Sequence, residues 1–459
     1  MPVSFATASD KVAEISSRIE RLPFTGWQAK VLVVVSVFTF FDAFDAMAIA
    51  FTLPALIGVW SIKPQYVGFL ISAGFLGQLI GAIIFGRIAD GIGRIRTMIA
   101  AVLMFSVLSL CCAASWSYAS LLVLRIIQGI GLGGEAPVAA TYLNEIVGAK
   151  IRGKYGIFLI FLSFGIGLLL ASFAGYWIVP RFGWRWVFIL GGIPAVLVAY
   201  LAYALPESPR WLAHVRREAD AEAAMSAIEQ KVKAAVGREL PAPTAPTVAP
   251  PAAKTKFVEL FKGIYLKRTI VVWVMWFSAY LANYGVTTWL PSIYKTVYHL
   301  PVDKSAFYSM VTLIFPFASV IAAILLIDIV GRRLIITICF LVGGLFFLGL
   351  WHAGASTALQ VAVYVSLGWL FFSVICNLAY VYTPEVYPTR IRALGTSVAT
   401  AWLRLAAMLG PIFVGMMIAH YGEVSLVFFW YGVIALVAGL IVLFFGIETK
   451  RRVLEELSP

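Results

Sequence analysis

The sequence predicts an all-α membrane protein in which twelve transmembrane helices form two six-helix bundles. Of its 459 residues, 61% are hydrophobic and only 12% are charged, whereas charged residues make up about a quarter of a typical soluble domain. Apolar runs of roughly 20 residues recur along the chain, and each can cross a hydrocarbon core of about 30 Å as a helix. The polar interruptions between these runs repeat once, which predicts that the second half of the chain duplicates the first.

The hydropathy pattern gives each span its position. The apolar runs, numbered here as spans 1 to 12, cover residues 31–58, 66–88, 97–115, 118–146, 155–178, 185–205, 269–290, 305–328, 333–352, 358–382, 394–418 and 426–447. The predicted domains are an N-terminal segment (1–30), a first bundle (31–206), a linker (207–267), a second bundle (268–448) and a tail (449–459). The first 28 residues are polar and lack the apolar core of a signal peptide, so span 1 is expected to direct insertion.

Two polar segments outside the spans, the N-terminal segment and the linker, are predicted to contain short helices. Apolar residues of the N-terminal segment recur at helical spacing, and we expect this short amphipathic helix to lie on the inner membrane face. They are Val12, Ile15, Ile19 and Leu22. Residues 213–237 are charged and alanine-rich, which predicts one or two surface helices, and 239–251 is a tether rich in Pro, Ala and Thr.

The formal net charge of +13 follows the topology of the spans and does not indicate a nucleic-acid partner. Lys and Arg cluster in the connections after spans 2, 4, 8 and 10, as the positive-inside rule requires of cytoplasmic loops. These residues are Arg94, Arg96, Lys150, Arg152, Lys154, Arg332, Arg333, Arg390 and Arg392. Both termini are therefore expected in the cytoplasm.

No catalytic site, metal site or cofactor is predicted. The four cysteines lie inside apolar spans without metal-ligand spacing, as small buried hydrophobes do. A three-glycine pattern in span 4 follows no strand, so we reject it as a dinucleotide site; glycines spaced by four, as at Gly77 and Gly81, instead allow close helix packing. An enzyme is disfavoured for want of a catalytic constellation, and a receptor for want of a sensory domain.

Charged residues in the connections carry the internal repeat. Acid and base pairs recur at offsets of 238 (328 − 90), 240 (385 − 145) and 241 (448 − 207) residues. The matched residues are Asp90 and Arg94 with Asp328 and Arg332, Glu145 and Arg152 with Glu385 and Arg392, and Glu207 with Glu448. Ion pairs among them are expected to hold the two halves together in one conformation and so to act as gates. The alternative is that they serve only as topology signals.

The loop after span 2, from Gly86 through Asp90 and Gly93 to Arg94, resembles the signature of the major facilitator superfamily. The resemblance covers roughly residues 30 to 450. The stretches 206–212 and 384–392 are similar to those of sugar porters, organic ion transporters, synaptic vesicle glycoprotein relatives and bacterial aromatic acid porters. This resemblance implies two bundles that rock around a site near the membrane midplane.

Ionisable residues inside spans are costly unless they are paired or face water, so they are the first candidates for function. Arg404 lies deep in span 11, where its planar donors suit a substrate carboxylate; an ion pair with a span 1 aspartate is the alternative. Asp42 and Asp45 share one face of span 1 and are predicted to couple transport to protons, with Glu135 as the next candidate. The other interpretation makes one aspartate a permanent counter-ion. Arg125 is expected to pair between helices.

Aromatic and amide side chains of the second half are candidates for binding the ring of a substrate. They are Tyr280, Asn283, Tyr284 and Trp289 of span 7, Asn377 and Tyr380 of span 10, and Trp402 of span 11. Such a stripe is often only packing, but an asparagine inside a span favours a polar cavity.

At 41–45 and 402–404 the chain is similar to bacterial nicotinate porters and, at the span 1 aspartates, to proton-linked benzoate and hydroxybenzoate porters. The resemblance implies a monomeric transporter of the bacterial inner membrane that imports a small aromatic carboxylate, with nicotinate first, by proton symport. A benzoate-type porter and a sugar porter remain alternatives, although a sugar has no charge to neutralise Arg404.

Overall fold

The computed structural model describes residues 8–148, 157–243 and 256–450, which form helices and no strand. Spans 1 to 12 are Gly26–Trp60, Pro64–Ile92, Arg94–Ala113, Tyr118–Ile146, Ile157–Trp177, Arg185–Gly191 with Pro194–Ala204, Ile264–Thr296, Val302–Val330, Arg332–His352, Ala358–Val386, Thr389–Tyr421 and Ser425–Phe445. Nine of the helices in the described part are by themselves long and apolar enough to cross a membrane. Helices fit this setting because a bilayer core offers no water to unpaired backbone groups.

Spans 1, 7 and 11 extend beyond the ranges that hydropathy predicted, to 35, 33 and 33 residues. Polar residues such as Gln28 and Lys267 continue these helices past the apolar core, and a hydropathy pattern detects only the apolar part. Span 6 is instead divided into two helices. Its second helix begins at Pro194, whose missing N–H is tolerated in the first turn but not in a helix interior.

The duplication predicted from the charged residues extends to the helix caps. Span 4 begins after Ser117, whose hydroxyl accepts the backbone N–H of Ser120 at 3.2 Å. Span 10 begins after Thr357, whose hydroxyl accepts the N–H of Gln360 at 3.2 Å. Each cap satisfies one of the backbone donors that a helix start leaves unpaired.

Packing of the spans follows the same repeat. In the first half span 1 packs on span 5, span 2 on span 4, and span 3 on span 6; in the second half span 7 packs on span 11, span 8 on span 10, and span 9 on span 12. The halves meet where span 2 contacts span 11, span 5 contacts span 8, and span 1 contacts span 7. The prediction of two six-helix bundles is therefore confirmed. We call the membrane side that carries Asp90–Arg94 the motif face and the other side the opposite face.

Close packing at the span 2 glycines is also confirmed. A Cβ atom added at Gly81 would lie 2.0 Å from the carbonyl oxygen of Ile130, and one at Gly77 would lie 2.1 Å from that of Ile126. No side chain fits at such distances, so glycine lets the backbones of spans 2 and 4 approach each other.

The expectation that the N-terminal amphipathic helix lies on the membrane is wrong. This helix, Ala8–Glu20, packs instead on the linker helices Pro209–His214 and Glu218–Val236. Ile15 and Ile19 are fully buried in one cluster with Met225 of the linker. The apolar face of this helix therefore packs on the linker helices. An amphipathic pattern in the sequence does not by itself distinguish packing on protein from binding to a membrane surface.

Ion pairs reinforce this docking. Arg18 contacts Glu222 at 2.7 Å and Glu229 at 2.8 Å, and Arg21 contacts Glu229 at 2.5 Å. Burial acts to raise the pKa of Glu229, but hydrogen bonds from the two arginines outweigh it and hold the pKa below the usual value. A carboxylate with a lowered pKa stabilises the folded arrangement above its ordinary pKa of about 4.3 and loses that contribution as the pH falls through the lowered value.

We expect Glu229→Gln to loosen the N-terminal helix, since it leaves Arg18 and Arg21 with weaker partners. Hydrogen exchange of the amides at 8–20 should quicken by about tenfold at neutral pH, which corresponds to about 1.4 kcal/mol. Glu218→Gln is the matched control, because Glu218 is an exposed residue of the linker helix that carries Glu229. It should leave the exchange rates at 8–20 unchanged. Equal exchange in both variants would show that apolar packing alone holds the helix.

Candidate functional site

Arg404 lies at mid-height in span 11, where the two halves face each other. Its Nη1 donates a hydrogen bond to the backbone carbonyl of Gln78 in span 2, at 3.2 Å. Within the described part of the chain this is the only hydrogen bond found for the guanidinium, which has five N–H donors. Asp42, Tyr284 and Tyr380 are its ionisable neighbours. The remaining donors of Arg404 are thus available to an anion in the cleft.

A ladder of aromatic rings on span 7 leads to Arg404. Trp276 and Tyr280 are stacked with centroids 5.5 Å apart, and Tyr280 and Tyr284 with centroids 6.1 Å apart. Tyr380 of span 10 contacts Trp276 edge-on at 4.8 Å but leaves 39% of its surface exposed. Because Tyr380 also neighbours Arg404, the exposed part of its ring borders the space between the halves. Flat rings beside a cation offer a surface on which a planar substrate can stack.

Of the asparagines and tryptophans predicted for this site, some are partly exposed beside the cleft and others are packed between helices. Asn283 and Asn377 are partly exposed on spans 7 and 10, and Asn283 Nδ2 donates to Cys376 Sγ at 3.5 Å. Trp402 packs against Trp273, with centroids 5.1 Å apart. Trp289 is 2% exposed, and its Nε1 donates to the carbonyl of Pro411 at 2.9 Å. The structure therefore brings Trp289 to the packing of spans 7 and 11 and not to Arg404.

The two aspartates of span 1 lie in different surroundings. Asp45 is fully buried inside the first half, where its carboxylate accepts hydrogen bonds from Ser109 (3.1 Å) and from Gln128. Arg125 of span 4 donates to the Asp45 carbonyl at 3.2 Å and lies 4.0 Å from its carboxylate. The expected inter-helix pairing of Arg125 thus has Asp45 as its partner. Ser109 and Gln128 were not foreseen, because uncharged polar residues are common in spans.

Asp42 faces the other half of the molecule, towards Arg404, and Glu135 of span 4 is its nearby carboxylate. Glu135 is fully buried, and its Oε1 accepts a hydrogen bond from Thr39 at 3.2 Å. Thr39 precedes Asp42 by three residues and so shares its helix face. Asp42 is thus near two charged groups, the Arg404 guanidinium across the interface between the halves and the Glu135 carboxylate in its own half.

Charged residues of the motif face form one cluster in each half. Arg94 contacts Asp90 at 2.9 Å and Glu145 at 2.8 Å. Glu207 accepts the backbone N–H of Arg94 at 2.9 Å and so caps span 3. Such caps satisfy exposed helix donors and suit the positive end of the helix dipole.

The second half repeats the arrangement. Arg332 lies 3.3 Å from Glu385, and Glu448 accepts the N–H groups of Arg332 and Arg333 at 3.0 and 3.2 Å. Arg392 Nε donates to the carbonyl of Tyr387, at 3.4 Å. Each of these contacts lies within one half, so in this conformation the clusters brace each bundle. Arg152 and the side chain of Asp328 lie outside the described residues.

The halves are closed together at the opposite face. There Ser72 of span 2 donates to the carbonyl of Met408 in span 11 at 2.6 Å, and a Cβ added at Gly68 would lie 2.5 Å from the carbonyl of Pro411. Towards the motif face, a Cβ added at Gly86 of span 2 meets no described atom within 4 Å. With Tyr380 exposed, this geometry indicates a cleft that opens towards the motif face.

Comparison with protein families decides the class. The model described as "Sugar (and other) transporter" matches residues 25–459. The chain belongs to this family. The family lies within the major facilitator superfamily, so the chain is a multi-pass membrane transporter and not an enzyme.

Curated relatives align with nearly the full length of this transporter. The niacin transporter NiaP of Acinetobacter baylyi is 32% identical over 97% of this chain and 100% of its own length. A gallate transporter of Pseudomonas putida is 30% identical over 95% of each chain. Among solved structures, the partially occluded inward-open xylose transporter XylE from E. coli aligns with a TM-score of 0.74 at 20% identity, over 94% of this chain and 100% of its own. That likeness shows the fold.

Proposed function

We propose that this transporter imports a small aromatic monocarboxylate, with nicotinate as the first candidate, by proton symport with alternating access. The observation that carries the proposal is Arg404, whose guanidinium has free donors at mid-height beside the rings of Tyr284 and Tyr380. A guanidinium binds a carboxylate through parallel hydrogen bonds, and the rings stack on a planar substrate. The names of the niacin and gallate relatives fit this substrate class.

Two alternatives differ in what they require of the cleft. A benzoate or hydroxybenzoate porter would use the same arginine and rings, and only binding can separate it from a nicotinate porter. A sugar porter agrees with the family description, but a sugar leaves the charge of Arg404 unpaired in a membrane interior, which is costly.

The orientation belongs to the same proposal. The motif face is cytoplasmic because Lys and Arg crowd its loops, so both termini lie in the cytoplasm. The membrane is a bacterial inner membrane, in agreement with the bacterial origin of the niacin and gallate relatives. The described structure is then inward-open, and the protein acts as a monomer. The acid and base residues of the motif face act as gates by shifting the balance between inward-open and outward-open states.

Thermal-shift measurements on the purified protein test the substrate class. Nicotinate, benzoate, 4-hydroxybenzoate and shikimate form the acid panel, with nicotinamide and glucose as uncharged controls. We expect an aromatic acid to raise the melting temperature, nicotinate most, because only a carboxylate engages Arg404. A shift with glucose alone would favour the sugar porter, and equal shifts with nicotinate and nicotinamide would remove the anion-receptor role.

A further inference from the structure

Asp42 and Glu135 leave two buried carboxylate oxygens without a partner. Asp42 is 8% exposed and Glu135 is fully buried. Among the described residues, Asp42 Oδ1 and Glu135 Oε2 have no hydrogen-bond partner, whereas Glu135 Oε1 accepts from Thr39. A buried charged oxygen without a donor is costly, and a proton on it removes that cost.

The Asp45 carboxylate does not require a proton in this way. Its two carboxylate oxygens accept from Ser109 and Gln128, and Arg125 balances its charge. Asp45 and Arg125 therefore form a neutral unit inside the first half, and adding a proton to it would leave the buried guanidinium uncompensated.

The ionisable groups around Asp42 carry a net negative charge when both carboxylates are ionised. Arg404 faces it from span 11, Glu135 from span 4 and Tyr284 from span 7, while Asp45 lies on its own helix. Spans 2 and 5 carry no ionisable residue over 67–86 and 157–175. With both carboxylates ionised and Tyr284 neutral, the cleft holds two negative charges and one positive. A single bound proton makes it neutral, which a low-dielectric site favours.

We propose that the Asp42 and Glu135 carboxylates together carry one proton in the empty cleft and bind a second when a substrate carboxylate occupies Arg404. This inference rests on the proposed function. The incoming anion adds one negative charge at Arg404, and the second proton forms an O–H bond on the carboxylate that was still ionised. On release that O–H bond breaks, and the proton and the anion leave on the same side. One proton thus accompanies each monocarboxylate, and no net charge crosses the membrane.

Uptake into proteoliposomes tests this stoichiometry. We expect wild type to accumulate labelled nicotinate under an inward proton gradient and to ignore an imposed membrane potential. Asp42→Asn and Glu135→Gln should each still accumulate it, because one titratable carboxylate remains in each variant.

The double variant D42N/E135Q should lose accumulation under the proton gradient. It should instead become sensitive to voltage, with accumulation approaching about 50-fold at 100 mV inside positive, since one uncompensated anion then moves. The control D45N/R125Q removes the neutral pair as a unit and should still accumulate substrate with protons.

Infrared spectroscopy supplies a readout that needs no substrate. The carbonyl band of a protonated carboxylic acid should appear in the empty wild type at neutral pH and vanish in D42N/E135Q. Persistence of that band, or proton-driven accumulation by D42N/E135Q while D45N/R125Q has lost it, would overturn the assignment. If no carboxylate binds in the thermal-shift panel but the band behaves as expected, the proposed function fails and the proton pair stands.

Discussion

Replacing Arg404 with alanine is expected to weaken the binding of nicotinate and other aromatic carboxylates by at least about 100-fold. Truncating one partner of a buried, hydrogen-bonded charge pair typically costs 2–5 kcal/mol, because the other charge is left unpaired. Arg404→Lys keeps the charge but loses the parallel donors, so its loss should be intermediate. Binding of labelled nicotinate to the purified variants measures the effect.

The matched control for this prediction is Arg181→Ala. Arg181 lies at the opposite face, over the ring of Trp177 at 5.1 Å, and its loss should leave affinity within a few-fold of wild type. Wild-type affinity in Arg404→Ala would show that the substrate carboxylate binds elsewhere.

Replacing Gly68 with leucine is expected to lower uptake strongly while preserving substrate binding. A side chain at Gly68 would meet the backbone of Pro411 and Ile412, at 2.5 and 3.0 Å from its Cβ. Backbone cannot move aside as a side chain can, so spans 2 and 11 could no longer close at the opposite face. The variant should favour the outward-open state, and initial uptake should fall more than tenfold with affinity within a few-fold.

Gly58→Leu is the control for this steric argument. Gly58 lies in span 1, and an added Cβ meets no described atom within 4 Å. Normal uptake by Gly68→Leu would mean that the observed packing at the opposite face is not required for transport. Loss of both binding and uptake would instead indicate a misfolded variant, which a melting curve identifies.

Much of the fold is predictable from the sequence because the hydropathy of each segment can be assessed along the chain without knowledge of tertiary contacts. The spans follow from apolar runs, and the duplication follows from repeated acids and bases such as Asp90 and Glu145. The linker helices follow from composition. Helix ends such as Gln28 could not be predicted in the same way, because Gln28 belongs to the first turn through a capping box with Thr25 and not through hydrophobicity.

The site was harder to predict because it depends on how each helix is rotated about its axis. Sequence spacing places Asp42 and Asp45 on one broad face, yet neighbouring helices direct one to Arg404 and the other to Arg125. Trp289 shares span 7 with the tyrosines of the cleft but packs on span 11. The backbone carbonyl of Gln78, which accepts a hydrogen bond from Arg404, could not be predicted from the sequence, because every residue has a backbone carbonyl. The repeat identifies Glu207 with Glu448, but it does not show that each carboxylate caps a helix of its own bundle.

The acidic caps of spans 3 and 9 make the completion of each bundle depend on the segment that follows its sixth span. Glu207 lies 113 residues after the backbone amide of Arg94 that it accepts, and Glu448 lies 116 residues after that of Arg332. While the ribosome is still making spans 3 to 6, the start of span 3 lacks its carboxylate. The first bundle can complete this end only once its sixth span has been inserted. The second bundle must wait for nearly all of the described chain, so the two halves mature one after the other.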